Sequence, residues 1–210
     1  MIQVVKQVVK DIPFLYELVT SLRAWQWKRQ GQPIPPPAFI KQRCVKKYGR
    51  RFSLSTLIET GTAGGYMISA TRNTFARIIS IELDPALYQR AKERFSGFDH
   101  IQILQGNSQH VLPDVLASIQ QPCLFWLDAH YSGSGTAKGN LETPIMGELQ
   151  CILDHPMKDH VILIDDARCF VGQNDYPTIR KVRELIAGCR GQAWVFLVKD
   201  DIIRIHKPTT

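Results

Sequence analysis

The sequence lacks long apolar runs, and none of its 210 residues lies in a run that approaches the ~18 residues of a membrane-spanning helix. The amino terminus also lacks the order of charged, apolar and small residues that is typical of a secretory signal peptide. Apolar residues make up 44% of the chain and charged residues 21%, which argues against disordered, collagen-like and fibrous classes. We therefore expect a soluble, cytoplasmic protein with no membrane span.

Cysteine is also scarce, because there are only five, an odd number, and no two of them have the CxxC spacing. A chain of this length can bury a core without covalent staples, so reduced thiols are expected and a disulfide framework is not. Most of these residues should be small buried apolar side chains. The five are Cys44, Cys123, Cys151, Cys169 and Cys189.

The net charge of +7 is confined to the amino-terminal part of the chain. Residues 1–52 hold 11 Lys and Arg against 2 acidic residues, whereas the other 158 residues hold 15 basic and 17 acidic ones. A solvated helix face is one interpretation, and a phosphate-bearing, acidic or nucleic-acid partner is the other. Nucleic acid is the less favoured partner, because no aromatic stacking platform is interleaved with the charges. The densest cluster comprises Lys41, Arg43, Lys46, Lys47, Arg50 and Arg51.

The first quarter of the sequence predicts a helical extension. Residues 1–29 follow a helical period, QGQPIPPP at 30–37 predicts a stiff linker, and 38–49 predict a short basic helix. We expect 1–53 to form this extension and 54–210 a Rossmann-like domain. A homodimer through the helices, or a roof over a pocket, is favoured over membrane attachment, because the polar face is not uniformly basic.

From residue 54 onward, short apolar runs alternate five times with amphipathic stretches. Such runs are typical of parallel strands buried on both faces, and the alternation predicts a doubly wound sheet. The segment AWVFLVKDDIIRIHK leaves too few residues between its two apolar runs for a crossover helix, so it predicts an antiparallel hairpin. The expected fold is α/β: a doubly wound, mostly parallel, seven-stranded Rossmann-like sheet with a C-terminal antiparallel hairpin and an N-terminal helical extension. The predicted parallel strands are LSTLIETG, RIISIEL, IQILQG, CLFWLDAH and HVILIDDA.

A glycine-containing loop, IETGTAGGY at 58–66, follows the first predicted strand and opens a helix. Gly61 and Gly65 permit a tight turn and close approach of a ligand, and the helix amino terminus offers unpaired N–H groups. The loop is not the dinucleotide fingerprint GxGxxG, because Ala63 interrupts the spacing. Glu59, just before the turn, would repel a phosphate and favour a cation or hydroxyl groups.

Polar side chains also end the next two predicted strands. Glu82 ends the second strand, where an acid can accept hydrogen bonds from ribose hydroxyls. Gly106, Asn107 and Ser108 follow the third strand, where an amide can contact an adenine edge. Because parallel strands end at one edge of the sheet, these groups predict a ligand site there.

Together these features resemble the class I S-adenosylmethionine-dependent methyltransferases. The spacing E-x-G-x-x-x-G-Y from Glu59 to Tyr66 is especially similar to that of catechol, caffeoyl-coenzyme-A and macrocin-type O-methyltransferases. The resemblance covers roughly 54–207 and implies that the first acid and the glycine loop hold the amino-acid part of the cofactor, with ribose and adenine near the next two strand ends. Asn107 departs from the family, many of whose members have an acid there. The implied cofactor-binding residues are Glu59, Gly61, Thr62, Gly65, Tyr66, Glu82, Asn107, Ser108 and Asp128.

Three further carboxylates predict a divalent cation. Asp128 ends the fourth predicted strand, and Asp165 and Asp166 end the fifth. Convergent carboxylates with open water positions suit Mg²⁺ or Mn²⁺. The metal-dependent O-methyltransferases, which this chain resembles, have acids at these positions, so the resemblance implies the same metal ligands. The alternative is that Asp165 or Asp166 merely caps a loop.

The resemblance implies methyl transfer from S-adenosylmethionine to a hydroxyl of a small-molecule, sugar or glycan acceptor. Asp128, His130 and Lys138 are the expected catalytic residues, with His130 or Lys138 taking the proton of a cation-bound hydroxyl. The Gly/Ser-rich stretch between His130 and Lys138 predicts either a lid or a plain long connection. Two alternatives stay open: a metal-dependent hydrolase or hydroxylase on the same fold, and a non-catalytic nucleotide-binding module.

Overall fold

Helices and strands alternate in the computed structural model, which describes residues 13–129, 143–190 and 193–208. None of the helices in these ranges combines the length and the apolar character needed to span a bilayer. The α-helices are α1 (Pro13–Arg29), α2 (Ala38–Arg51), α3 (Tyr66–Thr71), α4 (Pro85–Phe95), α5 (Ser108–Ala117), α6 (Ile145–Asp154) and α7 (Ile179–Arg190). The strands are β1 (Thr56–Thr60), β2 (Arg77–Glu82), β3 (Ile101–Gln105), β4 (Leu124–Leu127), β5 (Val161–Ile164), β6 (Val195–Lys199) and β7 (Ile202–His206).

The strands form one mixed sheet in the order β3-β2-β1-β4-β5-β7-β6. The first five are parallel, whereas β7 is antiparallel to both β5 and β6. This arrangement confirms the predicted seven-stranded sheet with its terminal hairpin. Strand β1 pairs with β2 on one side and with β4 on the other, so the chain changes winding direction there. In open α/β sheets the crevice at such a switch point is the usual ligand site.

The central strands β4 and β5 are apolar throughout because both faces of the sheet are covered there. All four residues of β4 and all four of β5 are buried. Helices α5, α6 and α7 pack against one face, where Ile58, Phe125 and Ile162 lie. Helices α2, α3 and α4 pack against the other, where Leu57 and Trp126 lie. Successive strand residues therefore enter opposite cores, as the strand period of two requires.

Helix α2 belongs to one of these cores although it precedes residue 54. Its Val45 and Tyr48 are 0% and 4% exposed and pack in the same cluster as Leu57 and Trp126. Helix α1 lies outside α2, with Trp27 and Ile40 in a small separate cluster. The division of the chain at 53/54 stays a prediction, and α2 is the part of the predicted extension that covers the sheet.

The terminal hairpin turns through Asp200 and Asp201, whose φ angles are +53° and +61°. Two consecutive positive φ angles fit a two-residue hairpin turn, because they match the twist of the flanking strands. Aspartate tolerates this left-handed region better than most side chains. The turn thereby brings Asp201 beside the chain that follows β5, where Ala167 donates its N–H to the Asp201 carbonyl oxygen at 2.8 Å.

If α2 is part of the core, truncating its buried aromatic side chain will destabilise the whole domain. We expect Tyr48→Ala to lower the free energy of unfolding by about 3–5 kcal/mol, as for other buried aromatic side chains. Lys47→Ala is the matched control: Lys47 is the exposed neighbour, and its loss should change stability by less than about 0.5 kcal/mol. Urea unfolding followed by circular dichroism measures both. Equal effects would show that α2 does not pack as described.

Candidate active site

The loop after β1 approaches the end of β4 so closely that its first residue must be glycine. Gly61 has φ +86°, and a Cβ atom added there would lie 2.5 Å from the backbone oxygen of Asp128. Gly61 donates its N–H to the Ile81 carbonyl oxygen at 2.9 Å, and Asp128 donates its N–H to Thr60 at 3.0 Å. These contacts hold the ends of β1, β2 and β4 together at the switch point.

Glu59 lies at the centre of a buried hydrogen-bonded chain. The Ser80 hydroxyl donates to Glu59 Oε2 at 2.5 Å and lies 2.6 Å from the Thr62 hydroxyl. Burial, together with the nearby Asp128 and Glu82 charges, raises the pKa of Glu59 to about 8, although the Ser80 hydrogen bond lowers it. Glu59 is therefore mostly protonated at neutral pH, so a positively charged group bound beside it would promote its ionisation.

Glu82 connects the glycine loop to the loop that follows β2 through hydrogen bonds to both. Its Oε2 accepts the Ala63 N–H at 2.7 Å, and its Oε1 accepts the Asp84 N–H at 2.9 Å. Each carboxylate oxygen can accept a further hydrogen bond, so both can still bind hydroxyl groups. Gly65, which begins α3 with φ +66°, packs against Phe95 and allows the loop to lie on the sheet.

Asn107 and Ser108 begin α5 and have local roles. Asn107 caps the helix, because its Oδ1 accepts the Gln109 N–H at 3.0 Å. The side-chain NH₂ group of Asn107 is then left to donate a hydrogen bond to an adenine ring. Ser108 is buried and hydrogen-bonds Glu148, which extends from α6.

Glu148 is an acid in the interior of the site. It is 1% exposed, and its Oε1 has no hydrogen-bond partner among the residues that the structure describes. Burial, together with the Asp128 charge, raises its pKa to about 7, although the hydrogen bond from Ser108 lowers it. Glu148 lines a small cavity together with Asp128, Asp165 and Tyr176. It can therefore accept a proton or a hydrogen bond from a group in this cavity.

The three aspartates at the ends of β4 and β5 do converge. Asp128, Asp165 and Asp166 each offer a carboxylate oxygen, and these oxygens lie within 4.8 Å of one another. Burial raises the pKa of Asp165, with the Asp128 and Asp166 charges adding to the effect. Three oxygens at this spacing and of this chemistry fit a hard divalent cation.

A lysine from α2 already supplies positive charge to this cluster. Lys41 Nζ lies 2.6 Å from Asp165 Oδ2 and 2.9 Å from Asp166 Oδ1. Burial lowers the pKa of Lys41, but the two carboxylates outweigh this effect and raise it overall. Arg168 also binds Asp166 Oδ1, at 2.8 Å, and pairs with Asp201. A metal ion would therefore have to displace the Lys41 ammonium group or share the carboxylates with it.

Most of the predicted site residues lie at this edge of the sheet, but Tyr66 has an exposed position. Its side chain is 69% exposed at the start of α3, and its ring lies 5.8 Å from the Arg94 guanidinium. A direct contact between Tyr66 and a ligand therefore stays a prediction. The predicted catalytic residues His130 and Lys138 lie outside the described residues.

Lys41 and Glu148 are the residues that the sequence analysis did not identify as part of the site. Lys41 belongs to the basic cluster between residues 41 and 51. Its partner Asp165 is 124 positions away, so no local sequence pattern connects the two residues. Glu148 did leave a signal, because it shares a helix face with Ile145 and Ile152, which are both buried. An acid on a buried helix face indicates a polar site.

No protein-family model matches the sequence, and no curated protein matches it either. Solved structures do match the fold. An O-methyltransferase from Bacillus cereus in complex with SAH has a TM-score of 0.60 at 16% identity, over 97% of both chains. The O-methyltransferase TomG from Streptomyces achromogenes, in complex with SAM, has a TM-score of 0.59 at 17% identity, over 90% of this chain and 89% of TomG.

A third similar structure is a putative O-methyltransferase from Klebsiella pneumoniae, with a TM-score of 0.55 at 17% identity over 97% of this chain and 96% of that one. The described residues therefore have the Rossmann-like fold found in these O-methyltransferases. This result confirms the fold that the resemblance implied.

Because Gly61 has no space for a side chain, we expect Gly61→Ala to destabilise the protein by roughly 2 kcal/mol or more, from backbone strain and steric overlap with Asp128. Gly188→Ala is the matched control, since nothing lies within 4 Å of the added Cβ and φ is ordinary for a helix. The control should gain up to about 1 kcal/mol in stability. Thermal unfolding measures both variants, and an unchanged melting temperature for Gly61→Ala would contradict the described approach of β1 and β4.

Proposed function

We propose that this protein is an S-adenosylmethionine-dependent methyltransferase that acts on an oxygen of a small hydroxylated or sugar-type acceptor. One observation carries the proposal: the glycine loop after β1 crosses the switch point of a methyltransferase-like sheet, between the carboxylates of Glu59 and Glu82. The bound SAM and SAH of the similar structures support it.

The residues of the switch point fit this cofactor. Gly61 lets the loop lie against the Asp128 backbone, and Gly65 lets it pack against the Phe95 ring, so the loop adopts the tight turn that the cofactor site requires. Glu82 is assigned to the ribose hydroxyls, Asn107 and Ser108 to the adenine side, and Glu59 to the charged amino-acid part. Thr62, Tyr66 and Asp128 complete the proposed cofactor-binding set. S-adenosylmethionine, when bound, supplies a methyl group on a positively charged sulfur.

The chain's own residues would then orient the acceptor and receive its proton. A cavity of about 10 Å³ beside β4 and β5, which has room for roughly one water-sized group, is lined by Asp128, Glu148 and Asp165, and we assign it to the acceptor hydroxyl itself. With a pKa of about 7, Glu148 can accept a proton near neutral pH, which makes it a candidate base in addition to His130 and Lys138. Holding the hydroxyl in line with the methyl group is the main contribution expected of this cavity.

The proposal also includes a divalent cation, which would be held by Asp128, Asp165 and Asp166. When bound, it would lower the pKa of the acceptor hydroxyl. The Lys41 ammonium group lies against two of the three carboxylates and would compete with the cation for them. We therefore propose that a metal ion is bound weakly while Lys41 is present.

The pKa of Glu59 provides a test of the proposed cofactor site. A carboxyl with a pKa of about 8 must lose its proton to bind a positively charged amino group, so affinity for S-adenosylhomocysteine should rise with pH. Between pH 6.5 and 8.5 we expect roughly a 20-fold gain, because the ionised fraction of a carboxyl with a pKa of about 8 rises from about 3% to about 75%. Calorimetry of the intact protein measures this.

The matched variants separate this effect from general ones. Glu59→Gln keeps the shape but cannot ionise, so its affinity should be lower at high pH and flat across the range. Glu93→Gln, at an exposed position on α4, should retain the wild-type profile. Failure of the wild-type protein to bind either S-adenosylmethionine or S-adenosylhomocysteine would reject the proposed function. Binding of a metal alone would favour the hydrolase or hydroxylase alternative.

Removal of Lys41 tests whether it competes with a divalent cation. Lys41→Met keeps the length of the side chain but removes its charge, so Mn²⁺ affinity should increase at least tenfold, or about 1.4 kcal/mol. Lys47→Met, at an exposed position on the same helix, should leave the affinity within about twofold of wild type. Electron paramagnetic resonance of Mn²⁺ titrations measures binding without any turnover. Equal Mn²⁺ affinity of wild type and Lys41→Met would show that the ammonium group does not occupy the cation position.

A further inference from the structure

A cleft of about 620 Å³ lies between α1, α2 and the turn that joins β6 to β7. Eight of its fourteen lining residues are Lys or Arg, and Asp200 is the only acid among these described residues. Five of the eight positive charges come from α2, and the other three come from α1 and the hairpin, so three elements contribute to the basic wall. Examples are Lys28 from α1, Lys47 and Arg50 from α2, and Lys199 and Arg204 from the hairpin.

The single acid does not balance this charge, because it is already paired. Arg204 Nη2 donates to Asp200 Oδ2 at 2.6 Å and to the Lys199 carbonyl oxygen at 2.9 Å. The Arg204 side chain is only 9% exposed, and its Nε has no hydrogen-bond partner among the described residues. A buried guanidinium with an unpaired donor, in a concave wall of like charges, favours binding of an anion.

We infer that this basic cleft is a second binding site, for a small molecule that carries several phosphate groups. Its volume falls within the ~300–1,000 Å³ of small-molecule sites. Phosphate oxygens match both the fork of Arg204 and the point charges of Lys28 and Lys47. The inference does not depend on the proposed methyl transfer, because the cleft and the switch point are lined by different residues.

The shape of the cleft favours a compact ligand over RNA or a bilayer surface. Its two aromatic lining residues, Trp27 and Tyr48, are each 4% exposed, so they provide no platform on which bases could stack. A membrane surface is flat and could not bring its phosphates into contact with the buried Arg204. A small polyphosphate can enter the concavity and contact all three elements.

Binding of inorganic tripolyphosphate to the intact protein tests the inference. We expect saturable binding of one tripolyphosphate, unaffected by saturating S-adenosylhomocysteine and weakened by raising the salt concentration, since screening reduces such attraction. The double variant Lys47→Gln/Arg50→Gln should bind at least about tenfold more weakly, because both lost charges line the cleft. Both residues are exposed, so the variant should fold, which circular dichroism checks.

Arg90→Gln/Lys181→Gln removes the same charge from exposed positions outside the cleft and is the matched control. It should bind tripolyphosphate within about twofold of wild type. An equal loss in both double variants, or no saturable binding by wild type, would overturn the inference. So would at least tenfold tighter binding of a 12-nucleotide RNA, or of phosphatidylglycerol vesicles, that tripolyphosphate does not displace.

Discussion

The approach of Gly61 to the Asp128 carbonyl group is the contact on which the rest of the site depends. At the switch point β1 pairs with β2 on one side and with β4 on the other, and the backbone after β1 lies against the end of β4 because Gly61 has no side chain. The same contact places the Asp128 backbone beside the loop that follows Glu59. The sheet order thus determines where a ligand can lie, and the glycine determines how closely the backbone can approach it.

Buried acids set the electrostatics of this edge of the sheet. Each raises the pKa of its neighbours, so protons or cations must compensate for the charge. On one side Glu59 and Glu148 are compensated by protons, since burial raises the pKa of both towards neutrality. On the other side Lys41 and Arg168 supply positive charge to the aspartates after β5. The site therefore contains two kinds of group: buried acids that can gain or lose a proton, and aspartates that are paired with Lys41 and Arg168.

The fold and the polar residues at the carboxyl ends of the strands could be predicted from the sequence, because both depend on local patterns. Continuous apolar strands, their polar ends and the short hairpin turn each occupy a few adjacent positions, and parallel topology then places the strand ends together. The pairing of Lys41 with Asp165 could not be predicted, since it depends on how α2 docks against a strand end 124 positions later. Asn107 has a second role that the strand pattern does not indicate, because an amide after a strand also caps the following helix.

The position of α2 on the sheet has a consequence for how the protein tolerates shortening. The helix contributes Val45 and Tyr48 to the apolar layer over Leu57 and Trp126, and it also carries Lys41. A chain that began at residue 54 would present part of that layer to water and leave Asp165 without its ammonium partner. Proteolytic loss of the amino-terminal quarter would thus expose apolar surface and promote aggregation, so α2 acts as a structural part of the domain.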